Sequence, residues 1–377
     1  METEKLSAEK RYLLGLSDRE LRTLLSLAQK AAAGYDRAKD GDGRLIIPDS
    51  VKKQLEETKA MLQIRPASVD AEQRKWIGAC ETLERLQLVT PAFYAGVTER
   101  EMYLKLRDAC AENLLPPEFT HAMLPSVMEY VRNKKMKPVI LSGPPGCGKT
   151  TAAKILADVM GLRSWLISVP QAACGHGLTG DALSFRGADM GEIAKAMVQT
   201  ETLNPLLIID EVDKNSNTTT RASIADELLP VCDNSANVLF ENFFGFPIDV
   251  SHCLVVMTCN DLDAVPEPLR DRCTVFKFPE VPLDRMREII GRYSGVKMSG
   301  MYAGHVLLDG QVLSAACERL YGKNVRSIRK HQELVDTVLG RAYTKSLEGD
   351  APVEVCEDDF SKAIDAIAGF ALRIGFR

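Results

Sequence analysis

The feature that most restricts the fold is a glycine-rich run of eight residues, Gly143-Pro144-Pro145-Gly146-Cys147-Gly148-Lys149-Thr150. It matches G-x-x-x-x-G-K-[ST] in full. Glycines at this spacing let the backbone curl until successive N–H groups point into one concavity, which is an anion nest. The flanks agree with that use. Val139-Ile140-Leu141 is a short apolar run, and Thr151-Ala152-Ala153-Lys154-Ile155-Leu156 has the composition of a helix. A strand feeding such a turn, with a helix opening on it, adds the positive potential of the helix N-terminus at the point where an anion would sit. Gly143, Pro144, Pro145, Gly146, Cys147, Gly148, Lys149, Thr150 and Thr151 are therefore assigned to phosphate binding. Lys149 is expected at the β- and γ-phosphates of ATP, and Thr150 as a ligand of Mg2+.

The rest of the chain supports a parallel sheet covered on both faces. Continuous apolar runs recur at Leu166-Ile167-Ser168-Val169, Leu206-Leu207-Ile208-Ile209, Leu254-Val255-Val256-Met257 and Val275-Phe276, separated by helical stretches. Strands buried on both faces read in this way, without alternation. Residues 1–115 read as a helical domain, with Leu21, Leu24, Leu25 and Leu27 near helical spacing and polar breaks such as Lys39-Asp40-Gly41-Asp42-Gly43. That break is a turn and not a calcium loop, because Ile47 stands where the last ligand acid belongs. A helix is expected from Pro117 to Val131, with Arg132, Lys134, Lys135 and Lys137 at its C-terminal end, where cations suit the dipole. The α/β core spans 116–281. A helical region covers 282–377, marked by Met286, Ile289 and Ile290, by Val312, Leu313, Ala316 and Leu320, and by Val325, Ile328, Val335, Val338 and Leu339, with a short strand at Val353–Val355.

Two acids follow the third apolar run. In Leu206-Leu207-Ile208-Ile209-Asp210-Glu211 a buried strand ends in Asp210 and Glu211, at the edge where ligands of parallel sheets sit. Asp210 is expected to hold Mg2+ and Glu211 to orient and deprotonate the attacking water. The run Leu254–Cys259 ends in Asn260, whose amide suits a γ-phosphate or a water. Pro266-Glu267-Pro268-Leu269-Arg270-Asp271-Arg272 then brings two arginines. Charge that builds on phosphoryl oxygens calls for an arginine, which here would serve a neighbouring subunit. Surface pairing of these arginines with Glu267 or Asp271 is the alternative.

Together, the Gly143–Thr150 loop, Asp210-Glu211-Val212-Asp213-Lys214, the Asn260 strand and Pro266-x-Pro268-Leu269-x-Asp271-Arg272 resemble the ATPase module of Lon-type AAA+ proteins over residues 117–370. The resemblance implies a P-loop AAA+ core followed by a helical lid. Asn260 takes the sensor-1 place, Arg272 that of the arginine finger, and Arg326 in Asn324-Val325-Arg326-Ser327-Ile328 that of sensor 2. Phe185 and Arg186 fall at the pore loop that grips a substrate chain; the family has an aliphatic residue where Arg186 stands, and glycine where Asn324 stands. Lon-type proteases continue into a Ser–Lys peptidase domain, and a chain of 377 residues has no room for one after the lid, so the expectation is a motor without peptidase activity.

Composition narrows the partners. Lys and Arg number 47 against 52 Asp and Glu, a net charge of −5, which gives nucleic-acid binding little support beyond Arg186 and the Arg132–Lys137 cluster. The ten cysteines are scattered without a C-x-x-C pair, as expected for free thiols in the cytoplasm. No run of about 18 apolar residues marks a membrane span. The first expectation is thus an ATP-hydrolysing homo-oligomeric ring, a hexamer in relatives, that remodels or translocates a polypeptide. The alternatives are an ATP-gated switch or adaptor that binds a partner protein through residues 1–115, and a DNA-associated motor.

Overall fold

The computed structural model describes residues 98–374 apart from 183–184, 186, 215–222, 234–237 and 350. Most of the expected N-terminal domain, including the Lys39–Gly43 turn, lies outside the described residues, and so does Arg186. The first described elements are helices α1 (Glu99–Glu112) and α2 (Pro117–Asn133). Helix α1 turns Met102, Leu106 and Cys110 inward, all buried, a spacing of four that keeps one face apolar. At the end of α2 one residue of the basic cluster, Lys134, meets a helix carbonyl, and another, Arg132, pairs with an acid of α1. Lys134 Nζ donates to the Val131 carbonyl at 3.2 Å, and Arg132 holds Glu99 through two parallel N–H···O bonds of 2.5 and 3.0 Å.

Five strands build the central parallel sheet: β1 (Val139–Ser142), β2 (Ser164–Ser168), β3 (Leu206–Asp210), β6 (Leu254–Cys259) and β7 (Thr274–Lys277), in the order β2-β3-β6-β1-β7. All four residues of β1, and all of β3 but its final Asp210, are buried, which explains their unbroken apolar runs. The register pairs Leu206 with Leu254 and Ile209 with Met257, so β3 and β6 end side by side and their terminal polar residues emerge together. Crossovers are made by α3 (Lys149–Val159), α4 (Val169–Cys174), α5 (Glu192–Thr200), α6 (Ile224–Cys232) and the short α7 (Glu267–Arg270). Helix α3 begins two residues before the expected Thr151, directly after Gly148. The start of α6 is fixed by a reciprocal cap in which Ser223 Oγ accepts the Asp226 N–H at 3.2 Å and the Asp226 carboxylate takes the Ser223 N–H at 3.3 Å.

One element pair has no counterpart in the sequence reading. Strands β4 (Val238–Glu241) and β5 (Phe246–Asp249) form an antiparallel hairpin outside the main sheet, pairing Glu241 with Phe246 and Val238 with Asp249. From Leu283 onward the chain is helical as expected: α8 (Leu283–Ser299), α9 (Gly310–Gly322), α10 (Ile328–Glu348) and α11 (Glu357–Ile374). Val325 precedes the third of these helices, because Asn324 takes a left-handed φ of 64° and breaks the run. The strand Val353–Val355 (β9) pairs in parallel with a second short strand, β8 (Val306–Leu308). No helix among the described residues is long and apolar enough to cross a membrane.

By contacts the described chain forms two compact units. One contains Ala122–Ile140 and Ala153–Val275; the other contains Arg107–His121, Leu141–Ala152 and the chain from Phe276 onward. The core of the first is a continuous apolar cluster running from Ile140 through Leu207, Ile209, Val255 and Met257 to Cys273. In the second, Phe119, Phe276 and Phe278 pack edge-on or tilted, with ring centroids 5.0–5.6 Å apart, in the offset geometry that aromatic quadrupoles prefer.

Candidate nucleotide-binding site

In the unit that holds the glycine-rich loop, three of its glycines adopt positive φ: 150° at Gly143, 74° at Gly146 and 102° at Gly148. Close packing is a second constraint on two of them. A Cβ on Gly143 would lie 2.9 Å from Phe278 Cβ, and one on Gly146 would lie 2.2 Å from Ser327 Oγ. The loop is thus pressed against its surroundings at two points. Phe278 N–H also donates to the Ser142 carbonyl at 2.7 Å, and Ile328 N–H to the Gly146 carbonyl at 3.1 Å. Lys149 is buried, and its Nζ donates to the carbonyls of Gly143 at 2.7 Å and Pro144 at 2.9 Å. Burial pushes the Cys147 thiol above its ordinary range, against the pull of the Lys149 charge.

The loop opens into a cavity of about 260 Å³, near the lower end of small-molecule sites. Gly146 to Thr151 line one wall, Asn113 to Pro116 another, and Phe278 to Pro282 a third, with Arg285, Ile289, Ile328, Arg329 and Gln332 completing it. The Asn113–Pro116 wall is held by cations from α8. Arg285 donates to the Leu114 carbonyl, and Arg292 to the Glu112 carbonyl at 2.6 Å. A buried lysine in a glycine-rich turn, beside a cavity lined by Val281 and Ile289 as well as Arg285 and Arg329, fits a nucleoside triphosphate. The hydroxyl of Thr150, next to that lysine, is the right donor type for the accompanying Mg2+.

The expected sensor-2 residue is elsewhere. Arg326 stacks on the Tyr321 ring, 3.6 Å from its centroid, donates to the Tyr321 carbonyl and lies 3.9 Å from Glu280. It is not among the cavity-lining residues; Arg329, one turn further along, is. Arg329 lies in the first turn of α10 and shares a helix face with Gln332, three residues on, which also lines the cavity.

The other unit holds the acids. Asp210 ends β3, and Glu211 follows with a left-handed φ of 61°, a conformation that non-glycine residues adopt at some cost. Thr258 on β6, almost fully buried, ties the two strand ends together. Its hydroxyl donates to Asp210 Oδ1 at 2.5 Å and accepts the Glu211 N–H at 3.2 Å. Asp213 adds a second tie, its Oδ2 accepting the N–H groups of Asn260 and Asp261 at 3.2 Å each. Glu211 and Asn260, expected as catalytic residues, are therefore brought together through Thr258 and Asp213, whose roles the sequence reading did not assign.

Both arginines make ion pairs within the chain, as the surface alternative expected, but with acids other than Glu267 and Asp271. Arg272 donates to the Pro268 carbonyl at 2.7 Å and lies 3.7 Å from Asp233, while Arg270 is 3.5 Å from Asp263. Phe185 is 65% exposed, which excludes a core role for it.

Residues 139–280 match the family described as "ATPase family associated with various cellular activities (AAA)". Among curated proteins, the mitochondrial Lon protease homolog of Yarrowia lipolytica is 26% identical over 89% of this chain and 29% of its own length. That of Candida albicans is 31% identical over 59% of this chain and 21% of its own. Over these residues the chain is similar to AAA proteins and to Lon protease homologs. A peroxisomal Lon protease homolog 2 from Pichia angusta agrees, at 29% identity over 66% of this chain and 27% of that protein. The chain thus spans less than a third of the length of these relatives. Among solved structures, a mutant of Thermotoga maritima RuvB superposes with a TM-score of 0.46 at 18% identity, covering 69% of this chain and 73% of that one. The sheet, its flanking helices and the glycine-rich turn fall within the matched residues 139–280.

Proposed function

We propose that this chain binds ATP with Mg2+ and hydrolyses it, and that it does so as a homo-oligomeric ring that pulls on or remodels a polypeptide. The main support is the cradle: Lys149, buried and bonded to the carbonyls of Gly143 and Pro144, lines a cavity together with the residues of the glycine-rich turn. In this reading Lys149 meets the β- and γ-phosphates, and the amides from Gly146 to Thr151 hold the phosphate oxygens. Thr150 and Asp210 are the residues that hold Mg2+, which when bound supplies charge neutralisation at the phosphate oxygens. Glu211 orients the attacking water and takes its proton, and Asn260 positions that water or the γ-phosphate. Arg272 serves a neighbouring subunit's nucleotide. The domain division at 115 and 281, a cytoplasmic setting and a subunit number of six belong to the same proposal. The described cysteines, all free thiols, fit a reducing compartment.

Polypeptide is favoured over other cargo by the exposure of Phe185. By name the curated relatives are proteases, enzymes that act on polypeptide. The test is a set of variants read by nucleotide binding and phosphate release. Lys149→Ala loses binding. Glu211→Gln keeps binding, and its turnover falls at least about 100-fold; rapid turnover by that variant removes Glu211 from its role. Arg272→Ala keeps binding and loses hydrolysis, and mixing it with Glu211→Gln restores part of the activity only if the finger acts across subunits. Failure of the wild-type chain to take up any nucleotide with magnesium overturns the reading. ATPase stimulated by DNA and falling steeply with salt would favour the DNA motor. Partner remodelling that survives Phe185→Ala would favour the switch.

A further inference from the structure

The loop that carries Phe185 has a neck, and a separate element grips it. The loop departs at Leu178–Gly180 and returns at Asp189–Gly191, where the Asp181 N–H donates to the Asp189 carbonyl at 3.1 Å and the Glu192 N–H to the Gly177 carbonyl at 3.1 Å. The two limbs are too close for side chains. A Cβ on Gly191 would lie 2.1 Å from the Leu178 carbonyl oxygen, and one on Gly180 would lie 2.8 Å from Gly191 N. Against this neck sits the turn of the β4–β5 hairpin. The Asn242 N–H donates to the Thr179 carbonyl at 2.7 Å, and its side-chain amide donates to Thr179 Oγ1 at 3.1 Å and the Gly180 carbonyl at 3.2 Å.

Glu241, at 0% exposure, completes the junction. Its Oε1 accepts the Gly191 N–H at 2.8 Å, and its Oε2 accepts the Phe244 N–H at 2.6 Å. One oxygen therefore binds the returning limb of the loop and the other binds the hairpin turn. The charged side chain facing it is another acid, Asp189, itself 3.3 Å from Lys195. A buried carboxylate in like-charged company is an expensive way to fill space. An apolar side chain would fill the same volume without desolvating a charge, so the value of Glu241 lies in what its two oxygens connect.

From this geometry we infer that Glu241 is a positioning residue, which locks the neck of the Phe185 loop to the β4–β5 hairpin and thereby fixes how Phe185 is presented to an unfolded polypeptide. The inference rests on the proposed role of Phe185 as the residue that grips. It makes the hairpin, which belongs to neither the sheet nor the phosphate loop, part of the substrate-handling apparatus. Glutamine has a single acceptor oxygen and an NH2 group in place of the other. Glu241→Gln can thus keep the loop bond or the hairpin bond but not both.

The test measures ATPase activity at pH 7.5 as reduced, carboxymethylated lactalbumin, a permanently unfolded polypeptide, is titrated in. For Glu241→Gln the polypeptide concentration giving half-maximal stimulation rises at least about fivefold, while basal turnover stays within about twofold of wild type. The decisive arm is the double variant. If Glu241 acts through Phe185, adding Glu241→Gln to Phe185→Ala changes nothing further, whereas a merely structural defect adds to it. Wild-type stimulation by the polypeptide that persists in Phe185→Ala overturns the grip reading itself. Loss of stimulation in Phe185→Ala but not in Glu241→Gln overturns this inference alone. Should Glu241→Gln fail to fold by near-ultraviolet circular dichroism, Asn242→Ala decides the matter. That change removes the two side-chain bonds to the loop neck from a half-buried position, and the same rise and the same non-additivity with Phe185→Ala are expected; their absence overturns the inference.

Discussion

Glu241 should leave a pH signature in the stability of the fold that its replacement by glutamine erases. Burial pushes its carboxyl up from the ordinary 4.5 to about 7, with the N–H groups of Gly191, Phe244 and Phe243 pulling the other way and Asp189 adding to the rise. A raised folded-state value means that the native protein holds this proton more tightly than the unfolded chain does. The resulting stabilisation is fully present below pH 4.5 and is lost as pH climbs through about 7. Between those values the native state carries about one extra proton, so stability falls by about 1.4 kcal/mol per pH unit. From pH 5 to pH 8.5 the difference between wild type and Glu241→Gln should therefore move by about 2–3 kcal/mol in favour of glutamine. The lost hydrogen bond of the variant shifts the curve by a nearly constant amount and leaves the slope untouched. Chemical denaturation at half-unit pH steps reads this slope, with near-ultraviolet circular dichroism confirming that both proteins are native at the start. A wild-type minus variant difference that stays flat from pH 5 to pH 8.5 would refute the reasoning, because it would mean that the Glu241 carboxyl titrates alike in the folded and unfolded chain.

Three further outcomes follow from the site. Thr258→Val removes the hydroxyl that joins Asp210 to the Glu211 N–H; turnover should fall by at least about tenfold, the loss expected for roughly 1.4 kcal/mol of positioning, while nucleotide affinity measured by fluorescent-analogue titration stays near wild type. Gly146→Ala forces a Cβ to within 2.2 Å of Ser327 Oγ at a φ of 74°, so nucleotide binding should be lost; adding Ser327→Gly relieves the clash but not the roughly 1–2 kcal/mol of backbone strain, giving partial recovery. Arg329→Ala should weaken nucleotide binding more than Arg326→Ala does, because Arg329 lines the cavity and Arg326 stacks on Tyr321; equal effects in an isothermal titration would argue against that ranking.

The parts of the molecule that were readable in the sequence are those set by local chemistry. The glycine-rich turn was legible because each glycine answers a backbone need, and the strands ending in Asp210 and Asn260 because burial on both faces leaves an unbroken apolar run. The β4–β5 hairpin was not. Phe243-Phe244-Gly245 reads as core followed by a turn, and nothing local says that Glu241 reaches back fifty residues to Gly191. Arg329 was missed for a related reason. Family position singles out Arg326, but a guanidinium goes where its flat face finds a partner, and the Tyr321 ring at the end of α9 supplies one. Pairings set by long-range approach, such as Thr258 with Asp210 and Asp213 with Asn260, leave no mark on the residues between them.

Arg285 and Arg292 take hold of the carbonyls of Leu114 and Glu112 just where α1 gives way to the wall of the cavity. A guanidinium on a main-chain oxygen behaves like a rivet: it ties down the chain whatever side chains the neighbouring residues carry. The two rivets pin the main chain at Glu112 and at Leu114, so the Asn113–Pro116 part of the cavity wall is held to α8 through its backbone. The surface those residues give the cavity is thus set by where α8 holds their backbone.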